Sequence, residues 1–322
     1  MRIGLPCKSE VNGRQLVSAQ VSIDAERFDV PETLDFSVAG SEPALCADRA
    51  DPFLVSMVPV AMKLGEDIHV EAPVSARLAY GLDAYQRILT TWWPDSFSQV
   101  SIHYRSRPSR TDDRRPDGVG CTFSGGVDSW HAVFESLPRN CDQPGFQVTH
   151  ALMINGFDQV SDLERQGLAD QMFSTYRPAL AQWGVELLML ETNGRLFKNE
   201  ILSRSESIRS YGASLSASAH ALAALFGRFG QAGHATYGLN ELKPKGSHAA
   251  LDHHLSSDQL QIIYAGTSAG RATKLELLVD EPIVQKTLRV CFHPPKFDPQ
   301  SGNVINCCEC EKCVRTIACL LI

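Results

Sequence analysis

Ser124-Gly125-Gly126-Val127-Asp128-Ser129 is the stretch of this 322-residue chain that predicts its fold. The preceding residues, 118–123, form a short apolar run, and residues 130–135 have the composition of the first turns of a helix. A strand, a Ser/Gly loop and a helix in this order direct backbone N–H groups and a helix N-terminus at one anionic group. Adjacent glycines let the backbone close around a pyrophosphate, because no Cβ is in the way. The stretch therefore predicts a phosphate-binding loop.

The side chains of this loop are of the types that phosphate chemistry uses. Ser124 and Ser129 offer hydroxyl donors, and Asp128 would hold Mg²⁺ or orient a phosphate-bound water. The loop is not a Walker loop, since it does not end in Gly-Lys-Ser/Thr. An ordinary Gly-Gly turn capped by serine is the alternative. We disfavour it because all five defined residues of the pattern S-G-G-x-D-S stand at a strand-to-helix junction.

The composition predicts a globular protein, and the lack of a recognisable targeting or membrane segment predicts the cytoplasm. The chain is 43% apolar and 21% charged, as is typical of soluble domains. It shows neither a secretory signal nor an apolar stretch long enough for a membrane span, so we expect no membrane partner. The formal net charge of −7 argues against binding to nucleic acid, whose affinity comes mostly from phosphate neutralisation. Ten cysteines in such a chain favour a metal site or catalysis over disulfides.

The order of the predicted elements indicates two domains. Residues 1–115 have the pattern of a small α+β domain, in which we find no catalytic constellation. The boundary lies in an Arg- and Pro-rich stretch, 106–117, and in the second domain, residues 116–322, strands and helices alternate. This alternation predicts a doubly wound parallel sheet of the Rossmann type. Its expected strands are residues 118–123, 148–154, 185–190, 234–239 and 261–265, and its expected helices are residues 162–183 and 211–226.

A basic pair follows the last of these expected strands. Arg271 and Lys274 stand at the start of a predicted helix, where ligands of such sheets bind. They would neutralise phosphate charge as a pyrophosphate departs. A solvated first turn of a helix is the alternative explanation.

The second strong pattern is a group of cysteines near the C-terminus. Cys307, Cys310 and Cys313 form C-x₂-C-x₂-C, and Cys291 lies upstream at the end of an apolar run. Four thiolates with this spacing suit tetrahedral Zn²⁺. Cys308 is a spare thiol that would replace Cys307 in a different arrangement. Reduced cysteines without metal and an iron–sulfur cluster are the alternatives.

The phosphate loop resembles that of the ATP-pyrophosphatase superfamily, whose members transfer AMP from ATP to a substrate oxygen and release pyrophosphate. Together with the four cysteines and Arg315, it resembles the 7-cyano-7-deazaguanine (preQ0) synthase family over residues 118–322. The extra N-terminal residues are similar to an extended branch of that family, some members of which belong to anti-phage defence systems. The resemblance implies a Rossmann-like fold of the HUP (adenine nucleotide alpha hydrolase) type. It also implies that the backbone of Ile154 and Asn155 contacts adenine.

The activity that the resemblance implies is ATP-dependent C–N ligation. ATP and Mg²⁺ would occupy the loop, with the N–H groups of Gly125, Gly126 and Val127 around the phosphates. The carboxylate of 7-carboxy-7-deazaguanine, on the route to queuosine, would be adenylated and passed to ammonia to give an amide or nitrile. The Zn²⁺ would be structural. A homodimer is left open.

Three other functions remain as alternatives. In the first, the activated carboxylate passes to an amine of a protein partner that docks on residues 1–115. In the second, the chain is a tRNA sulfur transferase, which the net charge disfavours. In the third, it is a nucleotide-binding scaffold without catalysis, which the complete loop disfavours.

Overall fold

The computed structural model describes residues 1–24, 28–39, 45–108, 115–156, 162–238 and 242–321, with the backbone alone for residues 162–166. The structure is α/β with a large eleven-stranded sheet. The chain divides into two compact units. Unit 1 consists of Met1–Gly118, Leu190–Gln231 and Pro244–Tyr264, and unit 2 consists of Val119–Met189, Ala232–Lys243 and Ala265–Ile322.

Strands and helices are numbered in chain order. The strands are β1 (Arg2–Ile3), β2 (Cys7–Val11), β3 (Arg14–Ser22), β4 (Thr33–Ala39), β5 (Ile68–Val70), β6 (Ile102–Tyr104), β7 (Gly118–Thr122), β8 (His150–Asn155), β9 (Glu186–Thr192), β10 (Phe226–Ala232), β11 (Gln261–Ala265), β12 (Lys296–Phe297) and β13 (Val304–Ile305). The helices are α1 (Asp51–Leu64), α2 (Ala76–Trp92), α3 (Val127–Glu135), α4 (Asp162–Ala181), α5 (Gly194–Ile201), α6 (Arg204–Arg209), α7 (Tyr211–Ala221), α8 (Arg271–Leu278), α9 (Pro282–Thr287) and α10 (Glu311–Leu320).

Unit 1 is built on antiparallel and parallel strand pairs around β3. This strand pairs antiparallel with β1, β2 and β4, whereas β1 with β5 and β5 with β6 are parallel pairs. β4 also pairs antiparallel with the end of β9, from Phe36 opposite Thr192 to Val38 opposite Leu190. Val17, Ala19 and Val21 of β3 are buried and alternate with more exposed residues, which is the period-2 pattern of a half-buried strand.

Helix α1 decides what else belongs to unit 1. Nearly all its side chains are buried, so it needs cover on all sides, and α5 and α7 pack against it. These helices come from residues 190–231, far from the N-terminus in sequence. The compact units therefore differ from the predicted domains 1–115 and 116–322, although the first segment of unit 1 ends at Gly118, close to the predicted boundary. The domain limits themselves stay a prediction.

Unit 2 encloses a core of aromatic side chains. β7 and β8 pair in parallel, with α3 as the first helix between them. Phe123 meets Trp130 edge-on, with ring centroids 4.8 Å apart, and Trp130 meets Trp183 at 5.2 Å. Tyr176 of α4 lies 5.2 Å from Phe123. These contacts fix the residue before the predicted phosphate loop and the first helix after it.

One predicted strand is wrong and another is missing from the prediction. Residues 234–238, the described part of the expected strand 234–239, are not in a strand. The strand is β10, and the predicted helix 211–226 ends early, as α7. Phe226 and Phe229 of β10 are fully buried. A fully buried apolar run has the same sequence pattern in a strand and in a helix, so the pattern did not distinguish them. The other expected strands and helices of the region match β7, β8, β9, β11 and α4 to within a few residues.

Length and hydropathy decide whether a helix could insert into a bilayer. Among the residues that the structure describes, no helix is both long and apolar enough to cross a membrane.

Candidate phosphate loop and metal centre

The backbone of the predicted loop has the strand–turn–helix form, in unit 2. Phe123 N donates to Leu152 O of β8 at 2.8 Å, and the chain then turns into α3. Gly125 has φ +73°, a conformation that L side chains rarely adopt. A Cβ on Gly125 would also lie 2.1 Å from Tyr176 Oη. Glycine is therefore required at this position for two independent reasons.

The start of α3 is not capped by a side chain. Gly126, the N-cap residue, is extended and has no side chain to offer. Ser129 Oγ donates to Gly126 O at 2.9 Å, and Ser124 Oγ lies 3.5 Å from Ser129 Oγ. The first amide groups of a helix need acceptors. A bound anion would accept hydrogen bonds from these amides, and the hydroxyls of Ser124 and Ser129 at the same helix start would donate to it as well.

An ion pair joins the helix to the basic residue predicted from the sequence. Lys274 Nζ donates to Asp128 Oδ1 at 3.0 Å and to Gly233 O at 2.6 Å. The Lys274 side chain is 0% exposed, and that of Asp128 is 29% exposed. Its two acceptors compensate the burial of the ammonium group. The structure thus brings together two of the predicted catalytic residues, Asp128 and Lys274.

Arg271 lies in the first turn of α8 and is half-buried. Its Nη2 donates to Thr316 Oγ1 of α10 at 3.0 Å, whereas its Nε is buried without a hydrogen-bond partner. Burial lowers the pKa of Arg271, nearby Asp128 opposes that shift, and Arg315 adds to it. Arg271 therefore lies near the loop carboxylate and connects α8 to α10.

Two further cations near the loop were missed by the sequence analysis. Arg289 N donates to Gly125 O at 2.8 Å, and its Nε is buried without a hydrogen-bond partner. Burial lowers the pKa of Lys312, and nearby Arg271, Arg289 and Arg315 lower it further. We call Arg271, Arg289, Lys312 and Arg315 the cation cluster. The available signal was that Arg289 and Lys312 flank predicted metal ligands in the sequence.

Ile154 and Asn155 end β8, at the same edge of the sheet as the loop. Thr122, the last residue of β7, pairs in parallel with Leu152, so both strands end on one side. Ile154 and Asn155 are half-buried, and Gly156 follows with φ +124°. Their predicted contact with adenine is compatible with this position and stays a prediction. The next residues, 157–161, lie outside the described part of the chain.

The four predicted cysteines converge on one point. The Sγ atoms of Cys291, Cys307, Cys310 and Cys313 all lie within 4.8 Å of one another. The sulfur–sulfur distance is 3.4 Å from Cys310 to Cys313, 3.8 Å from Cys307 to Cys313 and 4.0 Å from Cys310 to Cys291. A tetrahedral ion with Zn–S bonds of about 2.3 Å needs sulfurs about 3.8 Å apart. The four thiols are thus positioned to bind a metal ion such as zinc.

Cys308 does not belong to this group. It is exposed, has φ +61°, and its Sγ donates to Asn306 O at 3.6 Å. The turned backbone at Cys308 lets the N–H groups of Glu309 and Cys310 donate to Cys307 Sγ, at 3.4 Å and 3.3 Å. The alternative in which Cys308 replaces Cys307 is therefore not the arrangement of this structure.

Groups around the thiols hold them in place and shift their pKa values in opposite directions, since burial raises the pKa of Cys313 to about 12. Asn306 Oδ1 accepts from Val290 N at 2.9 Å and from Cys291 N at 3.1 Å. Asn306 Nδ2 donates to Leu288 O at 2.8 Å, so one side chain fixes the segment that carries Cys291. Backbone N–H groups, first that of Phe292, lower the pKa of Cys310 to about 6. A metal binds the deprotonated sulfur, so the surroundings of Cys310 favour a ligand, whereas the buried Cys313 would need the charge of the ion to lose its proton.

Comparisons with known proteins were made against protein-family models, curated proteins and solved structures. None of the three found a significant match. The loop, the cation cluster and the four cysteines all lie in unit 2.

Proposed function

We propose that this chain is an ATP-dependent C–N ligase that adenylates a carboxylate and transfers it to ammonia. The best candidate for the substrate is 7-carboxy-7-deazaguanine, with an amide or the nitrile preQ0 as product. One observation carries the proposal. The loop that requires glycine at 125 precedes an uncapped helix N-terminus and lies beside Arg271, Lys274 and Arg289. Such a concentration of donors and positive charge suits a triphosphate.

The residues of the loop would bind and orient the phosphates. Ser124 and Ser129 would donate hydroxyl hydrogen bonds, and Asp128, whose Oδ1 is held by Lys274, would bind Mg²⁺ through its carboxylate. A carboxylate oxygen of the substrate would attack the α-phosphorus, and the bond to the departing pyrophosphate would break. Ammonia would then attack the acyl carbon, AMP would leave with the bonding electrons, and loss of a proton from nitrogen would give the amide. The nitrile would need a second ATP: the amide oxygen would attack its α-phosphorus with release of pyrophosphate, and loss of AMP with that oxygen and of the protons on nitrogen would form the C≡N bond. Positioning and charge stabilisation are the contributions expected of the protein.

We propose a more specific fold for the sheet that carries the loop. A doubly wound sheet of the Rossmann-like HUP type is supported by the parallel pair β7 and β8, by α3 between them, and by the loop at the carboxyl end of β7. Cys291, Cys307, Cys310 and Cys313 would hold Zn²⁺. The zinc would be structural, because four sulfur ligands leave no position for substrate.

The test is a pyrophosphate-release assay with ATP, Mg²⁺ and 7-carboxy-7-deazaguanine, with and without ammonium, analysed by mass spectrometry. We expect AMP, pyrophosphate and an amide or nitrile, and loss of all of them in Asp128→Asn. Adenylate formed without either ammonia product would reject ammonia as the acceptor and direct attention to a protein amine. No pyrophosphate from metal-loaded protein would reject the carboxylate.

A further inference from the structure

We infer that the metal centre and the phosphate loop are coupled, because metal binding positions the cations that receive a pyrophosphate group. The inference rests on the proposed function only for the class of ligand, a pyrophosphate or the end of a triphosphate. A structural zinc by itself would stabilise the fold and leave phosphate affinity unchanged. The coupling predicts that metal occupancy and phosphate affinity change together.

The first connection is a short piece of backbone. Arg289 N donates to Gly125 O of the loop at 2.8 Å, and Cys291 follows two residues later. Between them, Val290 N and Cys291 N share the side-chain oxygen of Asn306. A displacement of Cys291 would therefore move Arg289 and with it the N–H group that holds the carbonyl of Gly125.

The second connection is side-chain packing. Val127, the first residue of α3, is buried in one cluster with Leu275 of α8 and with Cys291 and Cys313. α8 packs against both α3 and the metal-bearing helix α10. The hydrogen bond from Arg271 Nη2 to Thr316 Oγ1 joins α8 to α10 beside this cluster. The metal ligands and the loop thus have common neighbours.

Charge gives the third argument. Lys312 stands between Cys310 and Cys313 in sequence, and its Nζ lies 4.5 Å from the centre of the Phe292 ring. Arg271, Arg289 and Arg315 repel Lys312, and the nearby Asp128, which is already paired with Lys274, offsets part of this repulsion. Gathering such charges costs free energy unless an anion bridges them. The Nε atoms of Arg271 and Arg289 are buried donors without a partner, and an anion would supply the acceptor that they need.

The metal places two of these cations. Arg289 and Lys312 both lie within two residues of a thiol ligand, so four metal–sulfur bonds would fix the backbone that carries them. Preorganised cations bind an anion more tightly than mobile ones, because less ordering is needed at binding. The predicted gain is in affinity for pyrophosphate, independent of any later chemical step.

The test is calorimetric titration of magnesium pyrophosphate into the full, metal-loaded chain. We expect Lys312→Gln to weaken binding about tenfold, as for the loss of one charge near a phosphate. The control is Lys296→Gln, which removes the same charge from an exposed position on β12 and should change affinity by less than about twofold. Metal content is measured before and after each titration. Equal affinity of Lys312→Gln and the unaltered protein would overturn the inference.

The coupling itself is measured by removing the metal. Protein that stays folded without metal should bind magnesium pyrophosphate at least about tenfold more weakly, and the difference should shrink in Lys312→Gln. If the metal-free chain unfolds, Co²⁺ replaces the native metal, and its Co–S absorption reports the thiolate geometry. Saturating magnesium pyrophosphate should shift that absorption in the unaltered chain and less in Lys312→Gln. An unchanged absorption would overturn the coupling.

The two proposals can fail separately. Normal pyrophosphate binding that depends on Lys312 and on the metal, without activation of any carboxylate, would reject the proposed reaction and keep the coupling. Normal activation of the carboxylate would reject the coupling alone if the affinity for pyrophosphate stays the same after Lys312→Gln and after removal of the metal.

Discussion

Replacing the buried Lys274 by methionine should destabilise unit 2 and uncouple α8 from α3. The Lys274 side chain is fully buried and bonds to Asp128 Oδ1 and Gly233 O. Methionine has a similar length and no charge, so packing is largely kept while both hydrogen bonds are lost. The main effect is then the loss of polar partners.

The expected magnitude follows from how well water can replace each partner. A carbonyl left buried without a donor costs about 1–3 kcal/mol, which applies to Gly233 O. Asp128 is 29% exposed and can be rehydrated, so its loss of a partner contributes less than about 1 kcal/mol. Removal of the buried ammonium group offsets part of this cost. We expect a net loss of about 2 kcal/mol in the free energy of unfolding.

Urea unfolding of four proteins measures this effect. These are the unaltered chain, Lys274→Met, Asp128→Asn and the double variant, each followed by tryptophan fluorescence at equal metal content. The double variant should cost about 1 kcal/mol less than the sum of the single variants, because the two residues share one interaction. Additivity within about 0.3 kcal/mol would refute the argument that Lys274 holds Asp128.

Three further predictions concern the loop, the metal and pH. Gly125→Ala should abolish phosphate binding and cost about 1–3 kcal/mol in unfolding free energy, because φ is +73° and Tyr176 Oη lies where the Cβ would be. An unchanged affinity for pyrophosphate in a calorimetric titration would contradict this. Cys310→Ser should reduce bound metal below one ion per chain and lower the melting temperature, whereas Cys308→Ser should change neither in elemental analysis and calorimetry. Burial lowers the pKa of His220 from 6.5 to about 4, so the free energy of unfolding should be highest above pH 6.5 and should fall as the pH drops from 6.5 to 4. His220→Gln should remove about 3 kcal/mol of this fall when unfolding is titrated at several pH values. The same fall in the variant and the unaltered chain would exclude the effect.

The sequence alone determined the features that depend on local chemistry. The S-G-G-x-D-S stretch predicts the turn between β7 and α3, because the conformation with φ +73° at Gly125 is one that glycine adopts freely. The spacing of Cys307, Cys310 and Cys313 predicts three converging thiols, because two intervening residues bring sulfurs together within one turn. The strand β10 was missed, since a buried apolar run has no period that distinguishes a strand from a helix.

Only the tertiary structure decided the features made by distant residues. It selects Cys307 over Cys308, because the backbone of Cys308 turns its sulfur away. It pairs Lys274 with Asp128, 146 residues apart, and brings Arg289 onto the carbonyl of Gly125. It also assigns residues 190–231 to unit 1, since a helix buried all round must recruit cover from elsewhere in the chain. Local patterns encode turns and ligand spacing, whereas long-range contacts depend on how complete elements pack, which no short stretch specifies.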